Sequence, residues 1–258
     1  MESRIRGVRI TYTEHGAGVP LVALHGAGVD HREIEAALEA VLPPSGYRRI
    51  YPDLPGMGRS TADGLTSNND VVHVLSDFVD EVSADPVLII GHSYGAYLAR
   101  GLAAMRSEKI RGLALICPVG ASTTAPPPHR VAREDDNAFD ELDVEQRAGF
   151  ADYFIVHTHA TARRYRDAVA PGTTLVDEPA LERISSAWDV DVDGVRFRGA
   201  TVIVAGRGDS TAGYADAARL MDAYPNATFA AIHGAGHALM HEAPDLLGAL
   251  LHEWLARA

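Results

Sequence analysis

The sequence predicts an α/β fold: a mostly parallel central sheet, helices on both of its faces, and a helical cap insertion. Three observations carry this. Short, continuous apolar runs such as Pro20–Leu24 and Val87–Ile90 read as strands buried on both faces. They alternate with stretches of helical period, and β–α alternation implies a parallel sheet. The alternation stops after Pro118 and resumes at Thr201. The length of 258 residues suits one large α/β domain or two small ones.

The elements follow in order. Arg4 to Tyr12 alternates apolar and polar residues, with Gly7 as a bend, and predicts an antiparallel edge pair. Pro20–Leu24 is the first buried strand. Asp30 caps a helix, with Glu33 three residues on closing a capping box. That helix runs to about Leu42, where Pro43 and Pro44 stop it. Arg48–Tyr51 is a strand, followed by the loop Asp53–Ser60, in which Asp53 and Gly56 set a turn. Ser67 and Asp70 open a helix whose Val71, Leu75, Phe78, Val79 and Val82 share one face. Strand Val87–Ile90, helix Gly95–Met105 and strand Leu113–Ile116 come next. Ala125–Pro128 is a stiff connector. Acids cluster from Glu134 to Glu145, and Val144–Ser186 reads as mostly helical. Strand Thr201–Ala205, helix Ala215–Ala223, strand Thr228–Ile232 and helix Pro244–Ala256 complete the chain. Residues 1–117 and 199–258 therefore form the core, and 118–198 the cap.

Composition narrows the functional classes. Apolar residues at 47% and charged residues at 22% exclude a disordered or fibrous chain. Acids outnumber Lys and Arg by 35 to 23, a net charge of −12, which argues against nucleic acid or an anionic membrane as partner. Cys117 is the single cysteine, so no intrachain disulfide forms. No apolar run approaches the ~18 residues of a membrane span. Met1–Arg4 lacks the apolar core of a secretory signal. The expectation is a cytoplasmic protein whose partner is a small-molecule substrate; its oligomeric state stays open.

The chemistry concentrates at three loops. Strand Val87–Ile90 runs into Gly91-His92-Ser93-Tyr94-Gly95, and a helix follows. A strand-to-helix turn that tight strains Ser93, lifts its Oγ clear of the backbone and requires Gly91 and Gly95 on either side. The helix start offers the Tyr94 N–H as an oxyanion donor. A serine needs a base, and the base an orienting group. His237, in Gly234-Ala235-Gly236-His237, follows the last strand, and Asp209, in Gly206-Arg207-Gly208-Asp209, follows the strand before it. Both fall at the sheet edge that carries Ser93, where open α/β sheets build their sites. His25-Gly26-Ala27-Gly28 follows the first buried strand, and Ala27 N–H is a second oxyanion donor; the His25 side chain braces this loop.

These motifs, with Asp53-Leu54-Pro55-Gly56-Met57-Gly58-Arg59-Ser60 and Glu242 and Pro244, resemble the α/β-hydrolase superfamily, and within it the cap-bearing esterase, enol-lactonase and C–C hydrolase branch. The resemblance covers the core and leaves out the cap. It implies Ser93 as nucleophile, His237 as base, Asp209 as its partner, and Ala27 and Tyr94 as oxyanion donors. Ala96 stands where many members carry a further glycine. A serine nucleophile separates the chain from members that use aspartate there.

Tyr153, Phe154, His157 and Trp188 are the candidates to line a substrate pocket in the cap. Arg163, Arg164 and Arg166 read as a solvated helix face, with a carboxylate clamp as the opposing reading. Asp189–Gly194 opens like a calcium loop but lacks the closing glutamate at Ala200, and His157 and His159 point to different faces, so neither a metal nor a cofactor is expected. Cys117 reads as inert. The function read here is hydrolysis of a carboxylic ester or related acyl bond of a small, neutral, modestly apolar substrate. The alternatives are the same triad acting as a C–C bond hydrolase, lactonase, thioesterase or lyase, a cofactor-free haloperoxidase or oxygenase, and a non-catalytic ligand-binding module.

Overall fold

The computed structural model describes residues 1–124, 126–192 and 197–258. The Ala125–Pro128 connector and the Asp189–Gly194 run lie partly outside the described residues. Strands β1 (Glu2–Ile5) and β2 (Val8–Gly16) form the expected antiparallel edge pair. They are joined by a tight turn in which Arg6 (φ 51°) and Gly7 (φ 87°) are both left-handed. β2 pairs antiparallel with β4 (Gly46–Pro52). The rest of the sheet is parallel: β3 (Gly18–Leu24), β5 (Val87–His92), β6 (Ile110–Ile116), β9 (Ala200–Gly206) and β10 (Ala227–Ile232). Its order is β1-β2-β4-β3-β5-β6-β9-β10. The Val/Ile/Leu runs sit at the centre because only strands covered on both faces can hide continuous apolar sequence.

Two apolar layers sandwich this sheet. On one face α2 (Asn68–Val82), α3 (Tyr94–Met105) and α8 (Ala215–Arg219) pack Val71, Leu75, Phe78, Leu98 and Ala217 against it. On the other, α1 (His31–Leu38) and α10 (Pro244–Arg257) bring Ile34, Leu38, Leu247 and the fully buried Trp254. α1 departs from expectation at both ends. Asp30 caps it through the Arg32 N–H, and Glu33 closes no capping box, because its carboxylate turns into the core. The regular helix ends at Leu38, and a turn carries the chain to Leu42 ahead of the prolines.

Between β6 and β9 the chain leaves the sheet for β7 (Arg133–Glu134), α4 (Val144–Tyr153), β8 (Val156–His157), α5 (His159–Arg164), a π-helical turn (Tyr165–Val169), α6 (Ala170–Thr173) and α7 (Glu178–Ser185). β7 and β8 pair as a small parallel sheet that periodicity does not reveal. The insertion has two halves. α4, α5 and the π turn pack Phe150, Phe154 and Tyr165 into a cluster of their own that touches Val29 and Ala238. Ala180, Ile184 and Val190 join the main core on the α2–α3 face. No helix among the described residues is long and apolar enough to cross a membrane.

Trp254 closes the α10 layer and donates its Nε1–H to Ala200 O at 3.0 Å. Trp254→Ala should therefore cost about 3–5 kcal/mol, since it opens a cavity and orphans a carbonyl at the start of β9. Urea unfolding followed by circular dichroism measures this; a loss below about 1 kcal/mol would show that α10 does not carry the layer.

Candidate active site

The C-terminal edge of the parallel strands carries every residue that the sequence nominates for chemistry. Ser93 follows β5 and has φ +52°, a conformation L residues rarely adopt. Close approach enforces it. A Cβ on Gly91 would lie 2.5 Å from Gly95 O and 2.6 Å from Ala96 N; one on Gly95 would run into Leu24 O and His25 O at the end of β3. Ser93 N–H is held by Ile116 O at 2.9 Å. Tyr94 opens α3, so its N–H has no intrahelical acceptor.

His237 Nε2 lies 2.8 Å from Ser93 Oγ, and His237 Nδ1 lies 2.9 Å from Asp209 Oδ2. A carboxylate only accepts, so Nδ1 carries the proton and Nε2 presents a lone pair to the serine hydroxyl. Asp209 is fully buried, and its Oδ1 accepts N–H bonds from Thr211 (2.9 Å) and Ala212 (2.8 Å). Burial pushes the Asp209 carboxyl up, but His237 and these two amides outweigh it and hold it below the ordinary carboxylate value. This chain of atoms is arranged to pass a proton from Ser93 Oγ to His237 Nε2.

The loop after β3 is tied at several points. Leu54 N–H donates to His25 Nε2 at 2.9 Å, which leaves Nδ1–H to donate to Gly26 O at 2.7 Å. Burial pushes His25 below its ordinary value, so the ring stays neutral. Gly26 O and Ala27 N–H belong to one trans peptide and point opposite ways. Holding the carbonyl therefore aims the amide. Asp53 sits beside this loop and accepts from His31 Nδ1 (2.6 Å), His31 N (3.1 Å) and Arg59 N (2.9 Å).

Ser93 opens into a cavity of about 240 Å³. Gly26, Ala27, Gly28 and Val29 form one wall, and Gly149, Tyr153, Tyr165, Val169 and Thr173 from the insertion form the roof. Of the four residues nominated from the cap, only Tyr153 lines it. Phe154 is buried against Phe150 and Tyr165 and stacks on His241. His157 is buried and engaged with Glu134 Oε2 (2.9 Å) and Phe154 O (3.0 Å). Trp188 stacks on Tyr94 and Tyr97 and donates to Gly120 O at 3.0 Å. Phe154 and Trp188 join the insertion to the core, His157 packs within the insertion, and none of the three faces the cavity.

The arginines also face elsewhere. Arg163 and Arg166 pair with Glu141, and Arg164 donates to Ala36 O near the end of α1. Glu33, His92, Tyr165 and the π turn escaped sequence reasoning. Glu33 has the spacing of a helix cap, and His92 passes for filler in the serine motif. Glu242 proves to be a clamp: it accepts N–H bonds from Gly236, Ile155 and Val156, joining the His237 loop to the insertion. Among the described residues two groups gather metal-ligand atoms, His92–Cys117–His237 and Asp30–His31–Asp53. His237 and Asp53 are committed to the hydrogen bonds above. Asp30 holds Arg32, and burial pushes the Cys117 thiol up, away from the thiolate that binds metal.

A serine–histidine–aspartate chain at the strand ends of such a sheet defines a class of hydrolytic enzyme. The sequence profile described as "Alpha/beta hydrolase family" matches residues 21–250, and the chain belongs to that family. It is 29% identical over 110 residues to an epoxide hydrolase from Caballeronia sordidicola, covering 42% of this chain and 33% of that one. It is 28% identical over 135 residues to (E)-2-((N-methylformamido)methylene)succinate hydrolase from Acinetobacter baylyi, covering 52% of this chain and 51% of the relative. The chain thus spans between a third and about half the length of these curated relatives. In three dimensions it is similar to an alpha/beta superfamily hydrolase from Oenococcus oeni PSU-1, with a TM-score of 0.90 at 24% identity over 100% of this chain and 98% of that one. That likeness shows the fold.

Gly95→Ala tests the close approach. A methyl group there meets backbone of Leu24 and His25 that cannot turn aside, so stability should fall by about 1–3 kcal/mol. Activity should fall further than stability, because the same contact sets the distance between Ser93 and the Ala27 loop. Wild-type turnover in this variant would remove the constraint from the account.

Proposed function

We propose that this chain is a serine hydrolase that cleaves a carboxylic ester, or a related acyl bond, of a small neutral substrate beneath a cap formed by residues 118–198. The observation that carries the reading is the unbroken hydrogen-bonded chain from Ser93 through His237 to Asp209 at the floor of a cavity of about 240 Å³. Ser93 Oγ attacks the carbonyl carbon as His237 Nε2 takes its proton. The carbonyl oxygen becomes an oxyanion, held by the Ala27 and Tyr94 N–H groups; one such donor contributes about 3–4 kcal/mol in the transition state. The tetrahedral adduct collapses, and His237 returns the proton to the departing alkoxide. His237 then deprotonates a water, which attacks the acyl-enzyme. The acid leaves and Ser93 regains its proton. Asp209 keeps the imidazole in the required tautomer and stabilises the imidazolium.

Substrate charge follows from the lining and the surroundings. Among the described residues that line the cavity none is Lys or Arg. Residues 118–198 carry fifteen acids against nine arginines. The field over the entrance is therefore negative, and salt screens it over ~10 Å at 0.1 M. The same triad could also open a lactone or thioester or break a C–C bond. The Acinetobacter relative, named for a succinate derivative, keeps an anionic substrate in view.

A fluorophosphonate probe tests the nucleophile: one label per chain, on Ser93, abolished by Ser93→Ala. Loss of Ser93 or His237 should cost on the order of 10⁶ in kcat and Asp209→Asn about 10⁴. Labelling at a different serine would overturn the assignment. A panel of p-nitrophenyl esters of graded acyl length, beside a lactone, a thioester and a half-ester, tests the substrate class. For the anionic half-ester kcat/KM should rise with added salt and for neutral esters stay flat. If the half-ester is instead the better substrate at low salt and weakens as salt rises, a cationic clamp exists and the neutral-substrate reading fails.

A further inference from the structure

We propose that Glu33 and His92 form a buried carboxylate–imidazolium pair that acts as a positioning unit for the serine site, with the His92 charge cancelling that of Glu33 behind the oxyanion loop. The proposal rests on the hydrolase reading above and adds residues to it. His92 Nε2 lies 3.1 Å from the carbonyl oxygen of His237. A carbonyl only accepts, so Nε2 bears a hydrogen. Nδ1 then faces Glu33 Oε2 at 3.6 Å and has no hydrogen-bond partner among the described residues, with both side chains about 1% exposed. Two lone pairs turned toward each other at the edge of the cavity, with both side chains almost fully buried, repel, so the pair holds one further proton. Glu33 accepts from the Tyr153 hydroxyl through Oε1 and from Gly26 N–H, at 3.4 Å, through Oε2. Donors on both oxygens favour the ionised carboxylate, which places the proton on His92 Nδ1.

The neighbours support this. Burial alone would neutralise both groups, yet their attraction prevails: Glu33 is held down at about 2 and His92 is raised. The other titratable groups around them are His25 after β3, which burial keeps neutral, Tyr153 on α4, His241 on the short helix α9 (Leu239–Glu242), Cys117 after β6, and Asp209 and His237 of the site. Burial pushes His241 down to about 3, so it brings no charge, and Arg164 opposes its protonation. Asp209 is engaged with His237. Among the described residues, His92 is thus the countercharge available to Glu33.

The location gives the pair its role. Glu33 touches the oxyanion loop through Gly26, the serine turn through His92, and the insertion through Tyr153. The position that a Cβ on Gly26 would occupy lies 3.2 Å from His92 Nδ1, 3.5 Å from Ser93 Cβ and 3.6 Å from Glu33 Oε2. The tetrahedral intermediate develops negative charge beside this loop. A bare carboxylate there would oppose it; a paired one does not. Above the pH at which His92 loses its second proton, Nε2–H still holds His237, but Glu33 stands unpaired. Turnover should fall there.

The test uses ¹⁵N-histidine-labelled protein, with the His92 signals assigned by their loss in His92→Gln. At pH 7.5 the wild-type His92 should be an imidazolium. In Glu33→Gln, which keeps the side chain's shape, it should be neutral with hydrogen on Nε2. Glutamine has one acceptor oxygen where Glu33 has two, so Glu33→Gln releases either Gly26 N–H or the Tyr153 hydroxyl, and for a neutral p-nitrophenyl ester kcat should fall by about 10- to 100-fold, with KM within about twofold. The wild-type kcat should show an alkaline limb that this variant lacks. A neutral His92 in the wild type overturns the proposal, as does an imidazolium that persists in Glu33→Gln, or wild-type kcat and pH profile in that variant. Should the variants not fold, the ¹⁵N shifts of all wild-type histidines at pH 7.5 decide: the absence of any imidazolium at a buried, slowly exchanging site overturns it. The histidine spectra do not depend on catalysis, so failed fluorophosphonate labelling would sink the hydrolase reading and leave the pair standing.

Discussion

One close approach organises the site: the start of α3 is pressed onto the end of β3, with Gly95 lying on the carbonyls of Leu24 and His25. That contact leaves no room for a gentler turn, so Ser93 takes a left-handed backbone. The cost, of order 1–3 kcal/mol, is met by the buried strands on either side. Several consequences follow from the same contact. The serine is lifted from the sheet edge, the free N–H groups of α3 point toward it, and the glycine loop from β3 lies alongside. The positions of Ser93 and of both candidate oxyanion donors are set by a packing distance between two backbones, with no flexible side chain between them.

Around this contact the irregular loops are held by three carboxylates, Asp53 and Asp209 buried and Glu242 half-buried. Asp53 gathers the His31 and Arg59 amides, Asp209 those of Thr211 and Ala212, and Glu242 those of Gly236, Ile155 and Val156. Each carboxylate loses hydration and recovers it from fixed N–H groups: those on Asp53 and on Glu242 come from two segments each, and Asp209 adds the ring N–H of His237 to the amides of its own loop. Loops without ladders of their own are thereby made rigid. Removing one such acid would release two or three chain segments at once, so their effects on activity should exceed what a single hydrogen bond contributes.

The sheet, its helices and the Ser93–Asp209–His237 chain were legible in the sequence because each has a local cause. Apolar runs declare buried strands, and Gly91 and Gly95 announce a turn no other residue permits. Asp209 and His237 are marked by standing just past strand ends. The roof was not legible in the same way. Tyr153, Phe154, His157 and Trp188 are all aromatic, the first three close together in sequence, yet only Tyr153 meets the cavity. Whether such a ring faces substrate or neighbouring rings is decided by contacts such as Trp188 on Tyr94 and Tyr97, about ninety residues apart. Glu33 failed for the opposite reason. Its i+3 spacing from Asp30 satisfies a local rule, and a tertiary contact with Tyr153, 120 residues on, overrides it.

The acid excess also takes on a different meaning once it is divided by depth. Many of the insertion's acids are exposed, and Glu141 answers Arg163 and Arg166 directly. Their field is long in range but screened. Near Ser93 the charges are few: Glu33 is matched by His92, and Asp209 is held by the Nδ1–H of His237, which becomes its countercharge as it takes the serine proton. A surface field can slow an anion's arrival, whereas a buried charge acts on the reacting atoms with little screening. Substrate choice by charge therefore belongs to the outside of the cap and transition-state stabilisation to the pairs inside. Substitutions of exposed acids should change how fast substrates arrive, and substitutions at the buried pairs how fast they turn over.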